Sequence, residues 1–446
     1  MIELCAVGGY TEIGRNMTAV RVGDDVVIFD MGLHVERYIQ LKGDDDPRDL
    51  TVETLKNHDA IPDFSRIKDW EGMVRLIVPS HAHLDHIGAI PFIGPRYSCP
   101  VLCSPYTGAV LEKIYQDHKS RHLPKIKTMN VNTTYRLSKT LQVEFINVTH
   151  STPQTVIAVL HTPEGSIAYA NDFKLDNFPV LGKKTNMRRL KELGDSGVVN
   201  ALIIDSTGAL RPMKTPSESV ALEMLKDVIM STEFRNKAIV VTTFSSHIAR
   251  LKSIVALARK INRKVLFLGR SLAKYTEAAQ ACGIINFSGE AEIIKYKSAI
   301  RRRLRKLEKE GNREQYLLVV TGHQGEPDAV LSAMAAGTLS FTFYPGDYVL
   351  FSCAVIPTPT TRKNRERLEG ELQQKQVRIF RDLHVSGHAS KEEHRDLISL
   401  LRPRHLIPAH GEPPMIAALG ELATEMGYRE GKTLHSLHEG ERIRLT

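Results

Sequence analysis

Residues 80–91 read SHAHLDHIGAIP and place His81, His83, Asp85 and His86 within six positions, directly after the apolar run RLIVP at 75–79. His and Asp are ordinary loop residues, so a polar turn capping a strand accounts for one or two of these groups but not for four. Metal ligation accounts for all of them. At an extended strand end His81 and His83 point to one side, because side chains alternate with period two. Two neutral imidazoles on one side make half of a tetrahedral zinc site. Asp85 and His86 follow at the turn, where they can face a second metal close by.

Completing two such sites requires His and carboxylate from other strand ends on the same edge. Three positions match: His150 in INVTHSTPQT, Asp172 in YANDFKLD and His410 in LIPAHGE. Each follows an apolar, strand-like run and sits beside small residues or a turn. Two divalent ions about 3.5–4 Å apart can activate water at neutral pH and clamp both oxygens of an in-line displacement. Asp172 is the residue expected to bridge them. Asp30, ending the run VVIFD, fits a hydrogen bond to a ligand imidazole that fixes its tautomer. Asp205, ending ALIID, is a second candidate for that supporting role.

Outward from these motifs, the first part of the chain reads as short strands with Gly-containing turns, among them MIELCAVGG, NMTAVRVG, LQVEFINVTH and ALIIDST. A helix is expected over 107–121. After Asp205 helical and strand-like runs alternate (SESVALEMLKDVIMSTEF, KAIVVTTF, HIARLKSIVALARKI, KVLFLG), the pattern of a parallel α/β unit. A Gly/His-rich strand end, DLHVSGHAS, then introduces the helix SKEEHRDLISLLRP and the strand end HLIPAHGE. The expected organisation is a first segment over 1–207, an α/β insertion over 208–381 and a closing segment over 382–446. AIRRRLRKLEKEG at 299–311 reads as a solvated helix face because Glu interleaves with its cations. GDDDP at 43–47, inside the polar segment 34–70, reads as an exposed loop rather than a further metal site.

The chain has 446 residues, 42% hydrophobic and 25% charged, values of a globular protein with room for a sizeable core. No apolar run is long enough to span a bilayer, and the N-terminus alternates like a strand rather than a secretory signal. Five cysteines without a CxxC pair point to reduced thiols and a cytoplasmic setting. A net charge of +9 favours a polyanionic partner only modestly.

HxHxDH with the later His, Asp and His resembles the metallo-β-lactamase fold. The insertion after Asp205, followed by SGHAS and PAHGE, is similar to the β-CASP branch, whose members cut nucleic acids; Asp205, His388 and His410 match its three additional motifs. His at the last of these is the RNA-acting form. The spellings THSTPQT, NDFKLD, GHQGEP and LHVSGHAS resemble ribonuclease J over nearly the whole chain. The chain ends soon after the last motif, and with the long 34–70 segment it looks like the archaeal form, without the C-terminal domain of bacterial members.

The resemblance implies an α/β fold: a discontinuous metallo-β-lactamase αββα sandwich with an inserted parallel β-CASP domain. It implies 5′→3′ exoribonuclease activity favouring 5′-monophosphorylated RNA, with two Zn2+ (Mn2+ or another divalent ion being an alternative). His81, His83 and His150 would hold one ion and Asp85, His86 and His410 the other, with Asp172 between. His388 would act on the scissile phosphate, and a departing 3′-oxygen gains from protonation. The 5′-phosphate pocket would use the backbone of Ser386, Gly387, His388 and Ala389, together with Ser245, Ser246 and His247. Single-stranded RNA is the expected partner, with no membrane and with a homodimer as an allowed assembly. An endonuclease of the polyadenylation-cleavage type is the main alternative. A small-molecule hydrolase fits the large insertion and basic charge poorly, and a catalytically dead scaffold does not fit the full ligand set.

Overall fold

A computed structural model describes residues 1–42, 50–118, 122–356 and 358–445. The chain forms two compact units, the first from 1–177, 183–215 and 387–446, the second from 178–182 and 216–386. Their crossings lie after Thr215 and Ser386, a few residues beyond the divisions expected at 207/208 and 381/382, and 178–182 joins the second unit.

The first unit is two sheets face to face between helices. One has seven strands, in the order Arg442–Leu445, Ile2–Gly8, Met17–Val22, Asp25–Phe29, Val74–Val78, Val101–Cys103, Ile126–Thr128. The other has six: His405–Ala409, Val199–Asp205, Gly165–Ala170, Val156–Thr162, Gln142–Asn147, Thr133–Arg136. Period-two alternation sorts their side chains. Val27, Phe29, Leu76 and Val78 of the first sheet meet Phe145, Ala158, Ile167, Tyr169 and Ile203 of the second in one core. The second sheet's other face, with Ile157, Ala168, Leu202 and Ile204, packs on Leu190 and Leu193 of helix Met187–Asp195, Leu397 and Leu401 of helix Lys391–Leu401, and Leu419 and Leu422 of helix Pro413–Glu425. Because both faces of its central strands are covered, those strands read as continuous apolar runs.

The second unit is a six-stranded sheet whose neighbouring strands are all parallel, with helices as crossovers. Val240, Leu266, Leu318 and Phe351 face Leu304, Leu331 and Leu368 across one side. Arg250 is fully buried here, with Nε and Nη2 on the two oxygens of Glu218 at 2.6 and 2.8 Å and Nη1 on Ser352 and Leu383 carbonyls.

Four local expectations change. The segment 34–70, read only as polar, carries structure in its described residues: it holds the helices Val35–Lys42 and Val52–Asn57 and much of the 3-10 stretch Phe64–Met73, which packs on two strands of the first sheet. Its Leu55, Ile61, Ile67 and Trp70 are buried, which is the apolar pattern the polar residues between them obscure. The acidic run at 43–47 lies outside the described residues. The helix expected over 107–121 runs Pro105–Gln116, and 119–121 lie outside the described residues. Residues 382–390 form no strand, the preceding one ending at Phe380, because Gly387 and its neighbours turn toward the site instead of pairing. His81 and His83 also stand beyond the strand, which ends at Val78; a bend and the one-turn helix Leu84–Ile87 carry the motif. All five cysteines are free thiols, and among the described residues no helix is long and apolar enough to cross a membrane.

Candidate active site and metal centre

The site is built at the carboxyl ends of adjacent parallel strands. Phe29 pairs with Val78 in one sheet; in the other Ile204 pairs with Ala170 and Asp205 with Ala409. The residues just past these ends therefore converge. Asp30, Asp172 and His410 each adopt a left-handed backbone there, with φ of 55°, 56° and 51°. Such a conformation is uncommon outside Gly, although Asp and His tolerate it better than most. It turns each side chain back toward the centre.

Asp172 lies in the middle, almost fully buried. Its Oδ2 is 3.3 Å from His81 Nε2, 3.4 Å from His150 Nε2 and 3.9 Å from His83 Nδ1. Its Oδ1 is 3.3 Å from His86 Nε2 and 3.2 Å from His410 Nε2. Asp85 Oδ2 lies 3.5 Å from His86 Nε2 and 4.0 Å from His410 Nε2. These donors thus fall into two groups that share Asp172, one on each of its oxygens, and a third group around Asp172 joins His410 to Asp205 and His388. His81 Nε2 and His83 Nδ1 are only 2.9 Å apart, and His83 Nδ1 and His150 Nε2 3.2 Å.

These residues fit divalent cations. Asp172 Oδ1 is buried with no hydrogen-bond partner, a costly arrangement unless something else satisfies it. Burial pushes His81 down to about 4 and His150 well below its ordinary value, so both are neutral, the state that ligates. Burial also opposes charge on His86, but Asp172, Asp30 and Asp85 outweigh it and hold His86 well above its usual value. That balance marks a pocket of negative potential.

Each of the five imidazoles is held at its other nitrogen, the arrangement that fixes tautomer and ring orientation. His81 Nδ1 lies 3.0 Å from Ser80 Oγ and His83 Nε2 3.4 Å from Ser151 Oγ. His86 Nδ1 donates to Asp30 Oδ2 at 2.7 Å, and His150 Nδ1 donates to the Gly387 carbonyl at 2.7 Å. His410 Nδ1 donates to Asn16 Oδ1 at 2.9 Å. Asp30 also accepts from Ser80 N and Tyr169 OH at 2.7 and 2.9 Å.

Asn16, Asn171 and Tyr169 were not visible as site residues in the sequence. Asn171 Nδ2 donates to Asn16 Oδ1 at 3.2 Å and to Tyr169 OH at 2.7 Å. A continuous polar chain therefore runs from His410 through Asn16, Asn171, Tyr169 and Asp30 to His86. Asn16 is seated by close backbone approach. A side chain at Gly9 (φ +81°) would meet Asn16 Oδ1 at 2.4 Å, and one at Gly32 would overlap the Asp85 carbonyl at 1.5 Å. The only sequence signal was the glycine spacing of GGYTEIGRN.

Asp205 contacts none of the ligand imidazoles as a hydrogen-bond acceptor; its Oδ2 accepts instead from His388 Nδ1 at 2.9 Å. His388 Nε2 then lies 3.9 Å from Asp172 Oδ2, at the rim of the donor cluster. Burial opposes its charge, yet Asp172 and Asp205 raise it to about 9. Glu393 fixes this segment from beneath, accepting from the backbone N–H groups of Leu175, Thr215 and Ser390 at 2.8–3.0 Å, while Thr215 Oγ1 donates to the His388 carbonyl.

The residues expected around a 5′-phosphate divide between the units. Gly387, His388 and Ala389 belong to the first, whereas Ser245, Ser246, His247 and Ser386 belong to the second. Ala389 is buried and gives its N–H to the Phe173 carbonyl at 2.6 Å, so it has no donor left for an anion. In the second unit Ser245 Oγ lies 2.9 Å from Ser271 Oγ. His247 caps the helix Ile248–Lys260 and sits 3.4 Å from Glu218, an inward role.

Fold and donor set define a metal-dependent hydrolase of the metallo-β-lactamase superfamily. That superfamily's model matches residues 10–241, the "Ribonuclease J, beta-CASP domain" model residues 236–366, and the "Zn-dependent metallo-hydrolase RNA specificity domain" model residues 376–433. Ribonuclease J of Methanocaldococcus jannaschii is 42% identical over 99% of this chain and 98% of its own length. Ribonuclease J of Pyrococcus abyssi is 41% identical over 100% and 97%, and ribonuclease J 1 of Streptococcus pyogenes serotype M3 32% identical over 100% and 74%. A crystal structure of a protein of unknown function from Enterococcus faecalis V583 shares the fold, with a TM-score of 0.64 at 18% identity and 99% coverage of both chains. The chain belongs to the ribonuclease J family.

Proposed function

We propose that this protein is a metal-dependent 5′→3′ exoribonuclease that prefers 5′-monophosphorylated single-stranded RNA. The observation that carries the hydrolytic reading is Asp172, whose two carboxylate oxygens face two separate groups of donors. His81, His83, His150 and Asp172 would hold one divalent ion, and Asp85, His86, His410 and Asp172 the other. Zinc suits so imidazole-rich a set. Bound there, the ions supply Lewis acidity toward water and the phosphoryl oxygens.

The chain's own residues supply orientation and a proton. Asp205 takes the Nδ1–H of His388, so Nε2 is the nitrogen presented toward the donor cluster. From there a protonated imidazole can donate to the departing 3′-oxygen, a poor leaving group as an anion. The N–H groups of the turn at Gly387 are the groups we assign to the 5′-phosphate. Five free thiols fit work in the reducing cytoplasm.

The test uses one RNA labelled at either end. Mononucleotides released from the 5′ end are expected, faster from a 5′-monophosphate than from a 5′-hydroxyl or triphosphate at fixed salt. Discrete internal fragments with equal rates on all three ends would replace this reading with an endonuclease. His388→Ala should keep two divalent ions per chain while losing most turnover.

A further inference from the structure

The helix Lys297–Glu310 buries Ile300, Leu304 and Leu307 in the core of the second unit. Along its outer side Lys297, Arg301, Arg305 and Lys309 recur every fourth residue, and all four are exposed. Residues four apart are neighbours on a helix surface, so these form one row, each step rising about 6 Å and the whole row about 18 Å. Like charges at this spacing destabilise a helix. Among the described residues none of the four forms an ion pair, whereas their neighbours do: Arg303 binds Glu292 and Lys306 binds Glu310. Nor do the helix's carboxylates neutralise the row. Glu308 accepts from Thr342 N and pairs with Arg313, and Glu310 also accepts from Asn312.

With seven cations against two carboxylates, these fourteen residues carry more than half of the chain's excess of +9. At the head of the row stands Tyr296, 59% exposed, with Lys295 Nζ 5.6 Å from its ring. A line of cations spaced for a phosphate backbone, with an open aromatic face at its end, is how proteins hold single strands without reading sequence.

We propose that the row Lys297, Arg301, Arg305 and Lys309, with Tyr296, is an auxiliary binding surface for single-stranded RNA. It rests on the ribonuclease reading and adds to it a contact that only longer substrates make. The cations grip successive phosphates, and Tyr296 stacks on a base. Short substrates bind through the hydrolytic site alone.

The test compares the wild-type protein with Arg301→Ala/Arg305→Ala and with Tyr296→Ala. The substrates are 5′-monophosphorylated RNAs of roughly 5 and roughly 30 nucleotides, at the short end of and well above the span of one single-strand surface. On the long RNA the double variant should raise KM by roughly tenfold and lower the slope of log affinity against log salt by about 1.4, two single-strand phosphate contacts. Tyr296→Ala should weaken long-RNA affinity without changing that slope. Turnover of the short RNA should be unchanged in both variants, which also shows that they fold. An unchanged KM and salt slope on long RNA would overturn the proposal and leave the row to an acidic protein partner. Equal losses on both lengths would overturn it as well, by showing a defect at the hydrolytic site. Failure of the wild-type protein to cleave either RNA would defeat the ribonuclease reading instead, while anisotropy with the long RNA still reads the row.

Discussion

His410 is oriented by a side chain nearly four hundred residues earlier. Asn16 accepts its Nδ1–H, donates through Nδ2 to the Asp85 carbonyl at 3.0 Å and receives Asn171. Asn16→Ala leaves a buried imidazole N–H without its acceptor and the Asp85 carbonyl with only the backbone N–H of residue 16, whereas Asn16→Asp keeps the acceptor. Losing such an outer partner typically costs roughly 10–100-fold in metal affinity. Chelator competition should therefore show a large drop in affinity for one of the two ions in the alanine variant and a smaller one in the aspartate variant. Unchanged affinity in Asn16→Ala would remove it from any positioning role. The contrast with the ligands shows what a sequence displays at this scale. His81, His83, Asp85 and His86 are crowded enough to be read directly. Asn16 is one polar residue in a turn, and its meaning comes only from the strands that bring residue 410 beside it.

Elements tell a similar story. The runs that form central strands were legible because burial on both faces makes them uniformly apolar. The stretch 34–70 was not, because its few core-facing residues, Leu55, Ile61, Ile67 and Trp70, are diluted among charges. Strand Gln142–Asn147 carries a buried carboxylate that ties three elements together. Glu144 meets His161 of the adjacent strand at 2.9 Å and Arg189 of helix Met187–Asp195 at 2.7 and 3.1 Å. Burial pushes its carboxyl up, but these hydrogen bonds and charges win and draw it from an ordinary 4.5 to about 2. A carboxyl whose folded pKa lies below its unfolded one stabilises the fold above the unfolded value, and that contribution fades as pH falls toward the folded one. Glu144→Gln should accordingly cost about 1–2 kcal/mol near neutrality, allowing for the solvent around Arg189. The gap from wild type should close between about pH 4.5 and pH 2. Denaturant unfolding across that range measures it, and a gap independent of pH would mean that the pair contributes nothing.

For the whole molecule, the alternating pattern after Asp205 was enough to separate a parallel unit from the sandwich, because crossover helices and buried strands have distinct periods. The crossings after Thr215 and Ser386 could not be placed from pattern alone, since irregular backbone carries the chain through both. The candidate metal donors all lie in the first unit. Ligands that bind only the folded state stabilise it by mass action, about 2.7 kcal/mol at a hundredfold excess over Kd. Stripping divalent metal with a chelator should therefore lower the unfolding temperature of the first unit and leave that of the second in place, with recovery when metal is restored. Calorimetry with and without chelator separates the two. A parallel fall in both units would show that they unfold as one.

The first strand has its last-made neighbour at the opposite end of the chain, Ile2 facing Leu445, and Asp205 waits for Ala409 across nearly half of the sequence. During synthesis the sandwich is thus an unfinished sheet until its closing segment arrives. His388 and His410 follow every other candidate donor in the chain. The early donors His81, His83, Asp85 and His86 therefore stay without their distant partners until the segment carrying His388 and His410 has been made.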